Sequence, residues 1–173
     1  MKRWIAIVPL AVIAILAGMF LIKSLNREVH FEPNATVGQP APVVALVPLE
    51  GGEAVSLGWA VKGPMLINIF GSWCATCVIE HPVLVSLKAK GLPIVGVAWR
   101  DKPQNTKNYL LQHGDPFARV LMDPDGKAAI ELGITAAPES FLVDAKGMII
   151  QKVSGAISQQ DAEALLKKAG LGT

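Results

Sequence analysis

The sequence predicts an α/β domain, a three-layer sandwich with a mixed central sheet, preceded by one N-terminal transmembrane helix. From residue 64 onward, apolar runs typical of strands alternate with segments of helical periodicity in the order βαβαβαββα, which predicts the domain. An uncharged apolar stretch at the N-terminus predicts the transmembrane helix. At 173 residues the chain has room for one domain of ordinary size and an appendage.

The composition excludes two classes of protein. With 51% hydrophobic residues, the chain is too apolar to be disordered. Its net charge of +2 comes from mixed signs spread along the sequence, and no basic block is interleaved with aromatic residues. We therefore expect no binding to nucleic acid.

The N-terminal stretch, residues 4–22, carries no charged residue. About 19 residues at a rise of about 1.5 Å would span about 28 Å, which matches the hydrocarbon core of a bilayer. We predict a membrane anchor over residues 1–22 and a polar tether over residues 23–36. The alternatives are a buried core helix and a cleaved signal peptide, but a signal peptide usually has a shorter apolar core and an Ala-x-Ala site. Positive residues flank both ends, so charge alone orients the helix only weakly.

Residues 37–173 are predicted to form the α/β domain, which begins with extended, proline-containing backbone at residues 38–42. Residues 64–70 are a nearly continuous apolar run, which is typical of a central strand buried on both faces. A turn at residues 145–147 joins the last two strands into a hairpin. The predicted strands are 46–47, 54–57, 64–70, 93–99, 119–122, 140–144 and 148–153.

Helices are predicted between and after these strands. The first runs from the two cysteines to about residue 90, with Ile79, Val83 and Leu87 marking its apolar face. Ser158 caps the last helix. The other two helices are predicted at residues 105–113 and, ending at Gly133, at residues 127–132.

The two cysteines, Cys74 and Cys77, lie where the central strand ends and the first helix begins. The free N–H groups and the positive dipole at a helix N-terminus stabilise a thiolate. A second cysteine one turn further along can attack a mixed disulfide. We therefore predict that Cys74 is the exposed nucleophile and Cys77 the more buried resolving thiol of a redox-active pair.

Other interpretations of the cysteine pair have less support. A structural zinc site would need four ligands, yet there is no second pair of cysteines; His81 is close in sequence, whereas His30 and His113 are remote. A purely structural disulfide would close so short a loop that it removes little entropy from the unfolded chain. A pair of inert, buried cysteines does not account for the position at a strand–helix junction.

Residues 72–77, Ser-Trp-Cys-Ala-Thr-Cys, resemble the active site of the thioredoxin superfamily, in which Trp73 precedes the nucleophile. Pro82 matches the helix-kinking proline of that superfamily. Ala137 and Pro138 match its cis-proline loop, which faces the dithiol. The resemblance implies that this loop offers a backbone edge on which an extended substrate segment binds.

Three longer segments resemble one branch of the superfamily. They are residues 68–74, the Glu-His-Pro at 80–82 and residues 133–144. These segments are similar to the CcmG/DsbE family, which comprises membrane-tethered, periplasmic thioredoxins of cytochrome c maturation. The resemblance covers about residues 37–171.

The resemblance also implies roles for three polar side chains. Asn68 occupies the place where other thioredoxins keep a buried aspartate that moves protons, which an asparagine cannot do. Glu80, one turn beyond Cys77, and Glu139, directly after Pro138, match the acidic active site of the family. Negative charge disfavours a thiolate, and a carboxylate can shuttle protons. The alternative for either glutamate is a solvated surface charge.

The implied activity is that of a protein disulfide reductase, anchored in the bacterial inner membrane with its domain in the periplasm. Its expected substrates are the CxxCH disulfides of apocytochrome c or a CxxC-bearing maturation protein. A transmembrane electron donor of the DsbD or CcdA kind would re-reduce it, and no cofactor beyond the Cys74–Cys77 disulfide is expected. The alternatives are a tethered reductase of the ResA/TlpA kind with other clients, a general disulfide oxidant, and a copper metallochaperone, which would usually have CxxxC and a distant histidine.

Overall fold

A computed structural model describes residues 36–59 and 62–172 of the protein, together with residue 9 and residues 12–13 and 15–20. The chain divides into two compact units, Met1–Glu32 and Pro33–Thr173. Most of the predicted anchor and tether lies outside the described residues. Within the part of the chain that is described, no helix is both long and apolar enough to cross a membrane.

A mixed sheet organises the second unit. Its strands are β1 (Ala45–Pro48), β2 (Val55–Ser56), β3 (Met65–Phe70), β4 (Ile94–Trp99), β5 (Arg119–Asp123), β6 (Glu139–Val143) and β7 (Ile149–Ser154). The strand order is β2-β1-β5-β4-β3-β6-β7. β3, β4 and β5 run parallel to one another, and the other pairings are antiparallel. The predicted mixed sheet is confirmed.

Helices and an N-terminal segment cover the two faces of this sheet. The helices of the unit are α1 (Ala75–Ala89), α2 (Pro103–His113), α3 (Lys127–Glu131) and α4 (Gln159–Lys168). The first core cluster packs α1, α2 and α4 against one face, and the second packs α3 and the segment around residues 41–57 against the other. α2 begins two residues earlier than predicted, because Pro103 fits the first turn of a helix, where its missing N–H would have no partner.

The central strand β3 is buried along its whole length, as its apolar run predicts. Leu66 and Phe70 belong to the core cluster on the α1 face, whereas Ile67 and Ile69 belong to the cluster on the other face. Fully burying an aliphatic side chain of this kind stabilises the fold by about 1.5–3 kcal/mol. β3 is therefore a rigid support for the loop that follows it.

The predicted apolar face of α1 is wrong in part. Ile79 is 72% exposed and Val83 only partly buried, although Leu87 is buried. The buried face contains Glu80 and His81, together with Cys77, Leu84 and Leu87. Periodicity misplaced the face because two polar residues are buried on it, where hydrogen bonds from distant parts of the chain satisfy them.

The N-terminal segment of the domain pairs with the first residues of β7. Gly38 N–H donates to the Ile149 carbonyl at 2.8 Å, and Ile149 N–H donates to the Gln39 carbonyl at 2.9 Å. Ile149 is paired through Val143 with Met65, the first residue of β3. The N-terminal segment therefore lies beside β7, at the end of the sheet where β3 begins.

Candidate active site

Cys74 and Cys77 form a disulfide at the N-terminus of α1, with their Cα atoms 5.4 Å apart. Cys74 is the N-cap residue of this helix, and its Sγ accepts a hydrogen bond from the Cys77 N–H at 3.2 Å. A thiolate at the same position would accept this N–H and lie at the positive end of the helix dipole. The helix N-terminus thus favours charge on Cys74.

The two sulfurs differ less in exposure than predicted. Cys74 is 5% exposed and Cys77 is 1% exposed, so Cys77 is the more buried cysteine, but Cys74 is not the exposed residue expected from the sequence. Both cysteines pack into the core cluster on the α1 face. The N-cap position turns the Cys74 side chain back over the first turn of the helix, which explains its burial.

The loop before β6 reaches the same edge of the sheet as the dithiol. The Ala137–Pro138 peptide bond is cis, and Ala137 packs against the core cluster that contains both cysteines. Glu139, the next residue, pairs with Ile69 near the end of β3. Among the described residues, none hydrogen-bonds the backbone of Ala137. That backbone is therefore available to a partner.

Glu80 and Asn68 form a buried polar cluster one helical turn from Cys77. Asn68 Nδ2 donates to Glu80 Oε1 and to Ser140 Oγ, each at 2.9 Å. The Ile157 N–H donates to Glu80 Oε2 at 3.0 Å. Burial raises the pKa of Glu80 above its ordinary value, and the two N–H donors partly oppose this. Glu80 is therefore a buried acid, and the alternative of a solvated surface charge is wrong for it.

Glu139 is also buried, but on the opposite face of the sheet. Its neighbour Ser140 contacts Asn68 on the α1 face, and successive strand residues alternate between faces. Glu139 Oε2 lies 2.7 Å from Lys152 Nζ, and both side chains are almost fully shielded from solvent. Lys152 could not be identified from the sequence, since a lysine in an edge strand usually points to solvent. The surface-charge alternative is wrong for Glu139 as well.

The loop that carries the dithiol is held by Asp101, at the end of β4. The buried Asp101 carboxylate accepts hydrogen bonds from the Ser72 N–H at 2.8 Å and the Ser72 hydroxyl at 2.9 Å. It also accepts the Lys102 N–H at 2.8 Å and the Thr106 hydroxyl at 3.0 Å. No pattern in the sequence singled out Asp101, because its partner loop is distant along the chain. This clamp joins the ends of β3 and β4.

Trp73, the residue before the nucleophile, lies on the surface and is 53% exposed. Its ring packs edge-on against Trp99, with centroids 5.7 Å apart, and its Nε1–H donates to the Trp99 carbonyl at 3.2 Å. A Cβ added to Gly71 would lie 2.6 Å from the Trp73 indole, so a larger residue at position 71 would displace the ring. The glycine therefore permits this position of Trp73.

His81 ties α1 to the end of α2 and is not free to bind a ligand. Its Nε2 lies 3.0 Å from the Gly114 carbonyl, which can only accept, so Nε2 carries the proton. Nδ1 then accepts the Tyr109 hydroxyl at 3.2 Å. Burial lowers the pKa of His81, which keeps the ring neutral. Burial and the charge of Glu80 raise the pKa of Tyr109 to about 12.

Fold and site together define a thioredoxin-like thiol–disulfide oxidoreductase. The family model described as Redoxin matches residues 36–166. The chain is 34% identical to thiol:disulfide interchange protein DsbE of Pseudomonas fluorescens biotype C, over 92% of this chain and 89% of that protein. It is also 34% identical to thiol:disulfide interchange protein HelX of Rhodobacter capsulatus, over 92% of this chain and 91% of that protein. The chain therefore belongs to the redoxin family, among the DsbE-type thiol:disulfide interchange proteins.

A solved structure agrees with this assignment. The crystal structure of a putative thiol:disulfide interchange protein DsbE from Chlorobium tepidum superimposes with a TM-score of 0.65 at 29% identity. It covers 79% of this chain, and the match extends over 98% of that protein. The resemblance inferred from the sequence motifs and the predicted thioredoxin-like fold are thus confirmed.

Proposed function

We propose that this oxidoreductase is a reductant in cytochrome c maturation. Its substrates would be the disulfides of apocytochrome c CxxCH segments or of a CxxC-bearing maturation protein. The observation that supports this most is the dithiol at the helix N-terminus beside a cis-proline loop, in a chain of the DsbE type. The buried Glu80 fits a reductant, because negative charge near the dithiol makes a thiolate less stable. A dithiol whose thiolate is less stabilised gives up its electrons more readily.

The proposed reaction has two exchange steps. The Cys74 thiolate attacks one sulfur of the substrate disulfide, whose S–S bond breaks, and the released substrate thiolate takes up a proton. Cys77 then loses its proton and attacks Cys74, which releases the second substrate thiol. The substrate gains two electrons and two protons, and the Cys74–Cys77 disulfide forms. A transmembrane donor of the DsbD or CcdA kind would return the electrons.

Surrounding residues would assist each step. The free backbone of Ala137, held by the cis bond to Pro138, would pair with the extended substrate segment. Glu80 would accept the proton from Cys77, one turn before it, and Asn68 would hold the carboxyl group in place. Glu139 forms an ion pair with Lys152, so its role would be to hold β6, the strand that follows the cis-proline loop, in place.

The proposed location is the bacterial inner membrane, with the domain in the periplasm. Residues 1–22 would be the anchor and residues 23–36 the tether, as the uncharged stretch at residues 4–22 suggests. Tethering would raise the concentration of the dithiol near membrane-bound partners.

Trapping of the client tests the proposal. In cells, a full-length Cys77→Ser variant should accumulate a disulfide between Cys74 and its substrate, because the resolving thiol is missing. Mass spectrometry of the trapped species should identify an apocytochrome c or a CxxC-bearing maturation protein. The variant with both cysteines replaced is the control and should trap nothing. Trapped clients unrelated to cytochrome maturation would refute the proposal.

Replacing Glu80 by glutamine should alter both the rate and the pH dependence of the second exchange step. We expect the second exchange step to slow by about a hundredfold, since general acid–base assistance is lost, and its pH profile to flatten. Stopped-flow measurement of both steps across pH checks this. Glu163→Gln, which removes an exposed charge on α4, is the matched control and should behave like the wild type.

The same variant tests the buried state of Glu80. Since burial raises its pKa above 4.5, the folded protein holds this proton more tightly than the unfolded chain does. That stabilising contribution is complete below the ordinary pKa and is lost as pH rises through the raised one. Denaturant unfolding at a series of pH values should show this loss in the wild type and not in Glu80→Gln. Equal pH dependence in the two proteins would contradict it.

A further inference from the structure

Arg100, which follows β4 beside the dithiol loop, has an unusual backbone conformation. Its φ is +49°, which makes it the single non-glycine residue at positive φ within the described residues. Glycine is the residue that this left-handed region favours. The Arg100 N–H donates to the Asp123 carbonyl at 3.0 Å, which fixes the turn. A side chain retained where glycine fits better points to a use for that side chain.

The exposed Arg100 side chain rests on an aromatic surface next to the nucleophile. Its Cζ lies 5.3 Å from the centre of the Trp99 ring, and Trp99 packs against Trp73, the residue before Cys74. Gly126 permits this close packing because it has no side chain: a Cβ there would lie 3.1 Å from Trp99 Nε1 and 3.5 Å from Arg100 Nε. We call Trp73, Trp99 and Arg100 the aromatic platform.

The charge of Arg100 has no acidic partner in the described part of the chain. The aspartates on either side of its turn are already engaged. Asp101 accepts four hydrogen bonds from its own clamp. Asp123 accepts the Ala129 N–H at 3.1 Å, and Asp125 lies 3.7 Å from Lys127. The guanidinium therefore presents free N–H donors to solvent at the rim of the active site.

We propose that the aromatic platform is a docking surface that selects polypeptide partners with an aspartate or glutamate beside their reactive cysteine pair. The Arg100 guanidinium would bind the carboxylate through two parallel N–H donors, and the indole rings would cover the adjacent apolar segment of the partner. The carboxylate that Arg100 binds would belong to the substrate polypeptide itself, because the platform adjoins Cys74, which must contact that polypeptide. The inference rests on the disulfide-reductase function proposed above.

A set of three peptide disulfides tests the inference. The peptides share a cysteine pair and differ only in flanking residues, which are Asp, Asn or Lys. The reduced full-length protein in detergent should reduce the Asp peptide about fivefold faster than the Lys peptide at low salt, and the ratio should shrink at high salt. Arg100→Glu should reverse the order.

Two further variants make the result specific. Arg100→Gly should remove the preference while keeping a thermal midpoint at least equal to that of the wild type, because glycine suits the positive φ. Lys146→Glu changes net charge as Arg100→Glu does, but in the exposed turn after β6, at the opposite edge of the sheet. It should keep the wild-type preference.

Each contrary result has a distinct meaning. If Lys146→Glu reverses the order as Arg100→Glu does, net charge explains the preference and the platform does not. If the wild type reduces all three peptides equally, the inference is wrong and the reductase function stands. If the wild type does not reduce the Asn peptide at all, the proposed function fails, and with it the inference.

Discussion

Replacing Cys74 by serine is expected to slow disulfide reduction by at least about a thousandfold. A serine hydroxyl is not ionised near neutral pH and cannot form the mixed disulfide, so the first exchange step is lost. Serine is itself a favoured N-cap residue, so α1 should begin at the same place. The rate of reduction of a peptide disulfide measures the loss, and circular dichroism should show an unchanged fold.

Cys77→Ser is the matched comparison for this variant. It should complete the first step and stop at the mixed disulfide, because Cys74 remains the residue with the N-cap environment. If the Cys74 variant instead stopped at the mixed disulfide and the Cys77 variant failed at the first step, the roles of the two cysteines would be the reverse.

Asp101→Ala should lower the free energy of unfolding by about 3 kcal/mol, because it leaves four donors without their charged acceptor. The dithiol loop should also loosen, since Ser72 loses both bonds that hold it to the end of β4. Denaturant unfolding measures the first effect. The exchange rate of the Ser72 and Trp73 amide hydrogens measures the second.

Two milder variants separate the parts of this clamp. Thr106→Val removes one donor and should cost about 1 kcal/mol while leaving Ser72 bound. Asp101→Asn keeps one carbonyl oxygen and should fall between the wild type and Asp101→Ala. If Asp101→Ala costs no more than Thr106→Val, the carboxylate does not act as a clamp.

The order of elements was predictable because it depends on local patterns. The buried run at residues 64–70, the glycine after the short third helix and the serine that caps the last one each act within a few residues. The position of the cysteine pair followed from the same patterns, since the end of one apolar run and the start of the next helix are both visible in the sequence.

The polar core was not predictable in this way. Glu80 is satisfied by Asn68 and by the Ile157 N–H, 77 residues further along the chain. Nothing local shows that such a donor will arrive. The motif resemblance drew attention to Glu80, but local patterns left a solvated surface charge open for it. They also placed Ile79 on the apolar face of α1, which in the structure carries Glu80 and His81.

Buried charges were missed for the same reason. Lys152 meets Glu139 only because β6 and β7 pair in a register that sets Lys152 opposite Phe141. The motif resemblance drew attention to Glu139 but not to its counter-ion, because an ion pair across a hairpin leaves no mark on either strand alone. The role of Asp101 could not be predicted from the sequence, because its contact with Ser72 forms only where the ends of β3 and β4 lie side by side.

The pairing of Gly38 and Gln39 with the start of β7 fixes the end of the sheet at which the chain enters the domain. Gly38 and Gln39 lie beside β7 at the end of the sheet where β3 begins, whereas the sulfurs follow the other end of β3, whose six residues span about 17 Å. The chain therefore enters this domain at one end of β3 and carries its dithiol at the other.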